Sequence, residues 1–196
     1  MRTKALILLT ASALLLAGCG TFRETFPPRS ATEQSLLSTA VDEALERLPT
    51  YWMRGVRIYL DDSRLDAYDK PYLMQRLRDT VLAHGGRLTD ERWEADVVLE
   101  VASGALSVDK GSWLLGIPEL PLPIPFAGET LKLPELRLFR FDSSAGKAKL
   151  LLTAVDPEDG TRYTDLPLLL GRVQHRHWWL LLAGPFTWSD LPKKLR

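Results

Sequence analysis

The 196-residue chain has a single cysteine, Cys19. No disulfide can close within it, and its stability has to come from a packed core. Charge of neither sign dominates, with 25 Lys and Arg against 25 Asp and Glu. Non-specific binding of nucleic acid needs an excess of basic side chains to neutralise phosphates, and that excess is missing. Histidine is scarce: His84, His175 and His177 are all there is. There is no His-Glu-x-x-His, no Gly-x-Ser-x-Gly elbow and no glycine-rich phosphate loop, so the familiar signatures of metalloproteases, α/β-hydrolases and P-loop enzymes are absent. Long apolar runs are absent too. Ala5 to Leu16 amounts to about a dozen residues, whereas a spanning helix needs about 20. No internal repeat and no long low-complexity tract interrupts the chain, whose length suits one core.

What is present near the start is informative. Met1-Arg2-Thr3-Lys4 supplies positive charge, Ala5 to Leu16 an apolar segment, and Leu16-Ala17-Gly18 a small-residue exit onto Cys19. This order is that of a removable export signal. With the cysteine at the exit it resembles the signal peptide and lipobox of bacterial lipoproteins. The resemblance implies cleavage before Cys19 and fatty acylation (palmitate-type chains) of that residue. One acyl chain binds a membrane only marginally, and each buried methylene adds about 0.8 kcal/mol, so the three chains of such lipoproteins anchor for good. The expected organisation is a signal peptide over 1–18, a lipidated cysteine and flexible tether over 19–29, and one periplasmic domain over 30–196. Gly20 is not the aspartate associated with inner-membrane retention, so the resemblance implies the outer membrane, facing the periplasm. The alternative is a plain secretory signal with Cys19 incidental. Loss of 1–18 removes Arg2 and Lys4 and no acid, turning a neutral chain into one of net charge −2.

Gly20 to Arg29, with Pro27-Pro28, reads as a tether of about 30 Å if extended. Ser30-x-x-Glu33 is a capping box. Behind it Leu36, Leu37, Ala40, Val41, Ala44, Leu45 and Leu48 recur at helical spacing until Pro49. Val56 to Leu60 alternates as a strand. A second helix is expected from near Asp69, with Pro71 in its first turn and Tyr72, Leu73, Leu77, Val81 and Leu82 as its apolar face, ending at Gly85-Gly86. Arg87 to Thr89 reads as a short strand, and Ala95 to Val108 as a longer one. Gly116 to Pro134 carries five prolines among Leu120, Leu122 and Ile124, which predicts an extended apolar insert and neither a helix nor a central strand. Leu136 to Asp142 alternates, Ser143 to Gly146 reads as a turn, Lys149 to Val155 as a buried strand, and Asp156 to Gly160 as a tight turn before a returning strand at Thr161 to Thr164. Arg172 to Leu182 fits either a strand or a short helix, closed by Gly184-Pro185-Phe186. The sum is an α+β fold: two helices packed on a mixed, mainly antiparallel sheet, with a Pro-rich extended insert.

Cys19 followed by Arg29-Ser30-Ala31-Thr32-Glu33-Gln34, then Glu94 to Glu100, Gly116-Ile117-Pro118 and Ala183-Gly184-Pro185-Phe186, resemble a family of uncharacterised bacterial lipoproteins. That family has no assigned activity, so the resemblance implies a fold and no catalytic residues. A looser likeness, in the run from strand to the helix ending at Gly85-Gly86 to Ala95-Asp96, is to envelope-assembly lipoproteins such as those of lipopolysaccharide transport and curli secretion. Curli-type channels use two amphipathic membrane hairpins per subunit. Here that region would include the five-proline segment, which speaks against a barrel.

Candidate chemistry is sparse. Asp61, Asp62, Asp66 and Asp69 cluster after a predicted strand, where a hard cation such as calcium could sit. The simpler alternative is a polar turn and a helix cap. His175 and His177 would share one face of a strand, two ligands where zinc takes three or four. Asp156-x-x-Asp159-Gly160 lacks the later ligands of a calcium loop. No catalytic residue, cofactor or metal is therefore expected. Trp178-Trp179 is the most apolar patch outside the signal. With Leu120, Leu122 and Ile124 it makes the expected partner surface, against the alternative that one tryptophan is core and the other rim. The expectation is a non-enzymatic, lipid-anchored envelope protein that binds an envelope protein partner, not nucleic acid. An assembly or secretion accessory and a tethered hydrolase using the aspartates are the alternatives.

Overall fold

A computed structural model describes residues 29–123, 130–181 and 183–192. Residues from Ala31 onward form one compact unit. It opens with α1 (Ala31–Leu45), whose buried residues Leu36, Leu37, Ala40, Val41, Ala44 and Leu45 are the stripe that the spacing predicts. Leu48 is buried just beyond. β1 (Arg57–Asp61) leads to α2 (Lys70–Ala83), which has a proline in its first turn. Leu73, Leu77 and Val81 of α2 are buried. Tyr72 and Leu82, expected on the same face, are exposed. Both flank the narrow stripe, and the Tyr72 hydroxyl reaches out to Asp42 at 3.0 Å. Asp69 stands at the helix start without a side-chain cap bond. At the other end Gly85 takes φ +81°, the left-handed turn foreseen there.

The remaining elements are strands. β2 (Arg87–Leu88) and a 3-10 turn (Arg92–Glu94) precede β3 (Val97–Ile117). β4 (Leu120–Pro123) and β5 (Thr130–Leu133) pair with each other in a two-stranded sheet of their own. β6 (Leu136–Val155), β7 (Arg162–Thr164), β8 (Leu169–Leu180) and β9 (Ala183–Ser189) complete the chain order. The main sheet runs β2-β1-β3-β6-β8-β9, with β7 on the end of β6. β2, β1 and β3 are parallel, which the crossover through α2 makes possible. All pairings from β3 to β9 are antiparallel. The two helices pack against one face of this mixed, mostly antiparallel sheet, and Ile58, Leu99, Val101, Leu150, Leu152 and Leu169 meet them in the core.

Three expectations change. Ser143 to Gly146 is not a turn: β6 passes straight through, pairing Ser143 with Gly111 and Gly146 with Val108. Gly146 serves a close approach instead, since a β-carbon there would lie 2.4 Å from the Leu36 carbonyl oxygen. β3 does not stop near Val108 but continues to Ile117. The segment from Arg172 is a strand, and Gly184-Pro185-Phe186 opens a further strand in place of the expected closure.

Two strands are far longer than the helices they carry. β3 has 21 residues and β6 has 20, where five or six is ordinary. Such a strand spans about 70 Å at about 3.3 Å per residue. The 15 residues of α1 cover about 22 Å. Much of the sheet therefore extends past its helices, and no residue of β3 after Val101 is buried.

Candidate functional site

Register fixes which side chains share a face of the extension. On the helix-free face Trp113 lies opposite Phe141, and Leu115 opposite Phe139. Phe141 lies opposite Trp178, and Phe139 opposite Leu180. Trp178 in turn faces Phe186, and Arg176 faces Trp188. The rings touch: Trp113 meets Phe139 edge-to-face at 5.7 Å, Trp178 stacks on Phe186 at 4.3 Å, and the Arg176 guanidinium sits 5.2 Å over Trp188. These contacts leave most of the surface in water, with Trp113 57% and Trp188 54% exposed. Burying such rings is worth far more than the pair contacts alone, so an aromatic face left open is the feature that calls for an explanation.

The helix-side face of the same extension is polar. Arg140 bonds Asp142 at 2.8 Å and Glu135 at 2.7 Å, and these two carboxylates hold its pKa above the ordinary arginine value. Arg140 and Arg137 both lie over Trp179. His175 and His177 do share a face, with ring centroids 4.2 Å apart, and His177 Nδ1 meets Thr187 Oγ1 at 3.0 Å. At the tip, Ile117, Leu136, Arg137, Trp179 and Leu181 line an open cavity of about 710 Å³.

The two tryptophans singled out together belong to different surfaces. Adjacent residues of a strand point to opposite sides, so Trp178 joins the aromatic face and Trp179 the polar one. Leu120 and Leu122 are in β4, their backbones paired with Leu133 and Leu131. Ile124 and Cys19 lie outside the described residues. Trp113, Phe139, Phe141, Phe186 and Trp188 are members of the face that the sequence does not single out. Their signal is a shared i,i+2 apolar spacing in Trp113-x-Leu115, Phe139-x-Phe141, Trp178-x-Leu180 and Phe186-x-Trp188, which becomes readable only once all four segments are strands of one sheet.

The aspartates do not assemble a cation site. Asp61 accepts from the Ser63 amide at 3.0 Å and from Arg92 at 3.1 Å. Hydrogen bonding from Ser63, with Arg92 and Arg64 nearby, lowers its pKa. Asp62 pairs with Lys70 at 3.0 Å, and Asp66 is exposed in the loop beyond it. Two of the four acids are thus turned to cations of the chain itself. Asp156 and Asp159 accept from the backbone amides of Glu158 and Thr161, both at 2.8 Å, which is turn geometry. Among the described residues no group of three or more His, Cys, Asp or Glu could hold a metal ion. Nor, among them, is any helix long and apolar enough to cross a membrane.

Residues 13–192 match the model described as Family of unknown function (DUF6655). The chain belongs to that family. No curated protein matches the chain. Membership assigns no chemistry, so a function has to be sought in the surfaces of the fold itself.

Proposed function

We propose that the protein is a lipid-anchored component of the cell envelope, held through Cys19 at the outer membrane and facing the periplasm, and that it works by contact and not by catalysis. The observation that carries this reading is the open aromatic face of the strand extension. Exposed aromatic residues gathered on one face are what contact surfaces are made of. The leader ending in Leu16-Ala17-Gly18-Cys19 supports the anchor. A role as accessory of an envelope assembly is favoured by one further feature. Beyond Glu100 the outer edge of β3 has no strand partner among the described residues, and such an edge is a template for another chain.

Expression of the full chain with an alkyne-bearing palmitate analogue tests the anchor. Wild type is expected to take up the label and to fractionate with membranes, and Cys19→Ser to do neither. An unlabelled wild type, or an intact mass with residues 1–18 still present, overturns the reading.

A further inference from the structure

The geometry points to the bilayer itself as the occupant of the aromatic face, with Trp113, Trp178 and Trp188 seated at the boundary between headgroups and acyl chains. This deepens the anchored reading above and rests on it. Three observations carry it.

The first is where the tether leaves. Glu33, in the first turn of α1, pairs with Lys110 of β3, at the root of the strand extension. The chain preceding α1 therefore starts beside the extension and not at the far end of the domain. About a dozen residues separate Cys19 from α1, a reach of at most about 40 Å. The extension is thus nearer to the point from which the chain toward Cys19 departs than is the far end of α1, about 22 Å away.

The second is area. Four strands at about 4.8 Å by seven residues at about 3.3 Å give a face of some 400 Å². A domain already held by its tether needs only a modest additional contact of this extent, because the second contact is then intramolecular.

The third is chemistry. Tryptophan is the residue of membrane–water interfaces, where the ring spans the apolar and polar layers. Arg176 lies over Trp188 on this face, and Lys147 stands nearer its root on the same side. The acids of the extension are engaged by cations of the chain: Asp142 and Glu135 bind Arg140 on the other face, and Asp109 is paired with Lys147. An aromatic surface with a cation at its margin and its acids neutralised suits an anionic lipid surface.

The test uses the full chain extracted from membranes and reconstituted into phosphatidylcholine and phosphatidylglycerol vesicles whose acyl chains carry bromine, a short-range quencher of tryptophan. The expected result is quenching of about half of the emission, that of three among six tryptophans, and loss of most of that quenching when Trp113, Trp178 and Trp188 are all changed to Phe, which stays apolar. Trp93→Phe, just before β3 at the base, removes an unquenched emitter, so the quenched share of the emission rises slightly and does not fall. Equal quenching in wild type and the triple variant overturns the proposal, as does absence of quenching. So does self-cross-linking through the extension with the rings shielded from lipid, which makes a second copy the occupant. Intact mass of the same sample separates the two readings. Quenching without acyl mass on Cys19 keeps the lipid contact and removes the anchor. Acyl mass without quenching keeps the anchor and removes the lipid contact.

Discussion

Gly171 of β8 lies against Ala40 of α1 so closely that a β-carbon at Gly171 would stand 1.8 Å from the Ala40 carbonyl oxygen. Gly146, one strand over, meets Leu36 in the same way. The helix therefore rests on a glycine floor, backbone on backbone, and its leucines reach past the sheet surface into the core. The seat also sets the direction of α1, and with it the end of the domain from which the preceding chain departs.

Gly171→Ala has no flexible neighbour to displace, because the obstructing atoms are helix backbone. The expected loss is at least about 3 kcal/mol, the upper range of overpacking. Gly104→Ala meets only the Lys149 side chain, at 3.3 Å, which can move, and should change stability by less than about 1 kcal/mol. Chemical denaturation of the two variants checks this, and equal losses would mean that α1 does not sit on Gly171.

On α2, Leu77 is fully buried and Leu82 is 56% exposed. Leu77→Ala is expected to cost about 2–5 kcal/mol through the cavity it leaves. Leu82→Ala should stay within about 0.5 kcal/mol. Thermal melts that rank the two the other way would show that the helix is rotated on the sheet.

Asp96 receives the Arg57 amide at 2.8 Å and the Arg57 guanidinium at 2.6 Å. The Arg57 side chain, then its amide, lower the Asp96 pKa. Stability linked to a lowered carboxyl pKa is present above the unfolded value and is lost as pH falls through the folded one. Asp96→Asn should therefore be less stable than wild type by about 1 kcal/mol near neutrality, since the pair is partly exposed. Its melting curve should converge on that of wild type below about pH 4. A gap that persists in acid would assign the loss to packing and not to charge.

Much of this fold is legible in the sequence because its signals are local. The α1 stripe, the Pro71 start and the Gly85 stop of α2, and the hairpin turn at Asp156 to Gly160 each depend on residues within a few positions of one another. The errors share one cause. Ser143-Ser144-Ala145-Gly146 has turn composition, yet its glycine answers to Leu36 of α1, more than 90 residues away in sequence. The run to Ile117 reads as ending early because Asp109, Lys110 and Gly111 look like a loop, yet in a strand projecting beyond its helices such residues are simply solvated. The aromatic face is half legible for the same reason. A pair of adjacent tryptophans stands out by eye, while an i,i+2 alternation split among four segments does not, although only the latter makes a face.

Asp61 and Asp62 are engaged by Arg92 and Lys70, so a divalent ion would have to displace two cations of the chain. Millimolar calcium should move the melting temperature of wild type by no more than about 1 °C, because a ligand stabilises only as far as it binds the folded state. Asp66→Ala, in the exposed loop, should be silent within about 0.5 kcal/mol. A clear upward shift with calcium that Asp62→Ala abolishes would restore the aspartates as a site.

The two ends of β3 should differ in dynamics. Val97, Val98, Leu99 and Val101 are buried under the helix layer, while Trp113, Leu115 and Ile117 of the same strand are each more than half exposed. Amides of one continuous strand should then exchange with solvent at two very different rates. The distal amides, from Ser107 onward, open without unfolding the core, and a difference of about 3 kcal/mol in opening free energy is roughly a hundredfold in rate. Hydrogen exchange of the detergent-free protein reads this directly. If the aromatic face exists to be covered, membrane vesicles should slow the distal amides and leave those of Val97 to Val101 unaltered. Uniform protection along β3 in the protein without vesicles would mean that the extension is stable on its own and needs nothing to cover it.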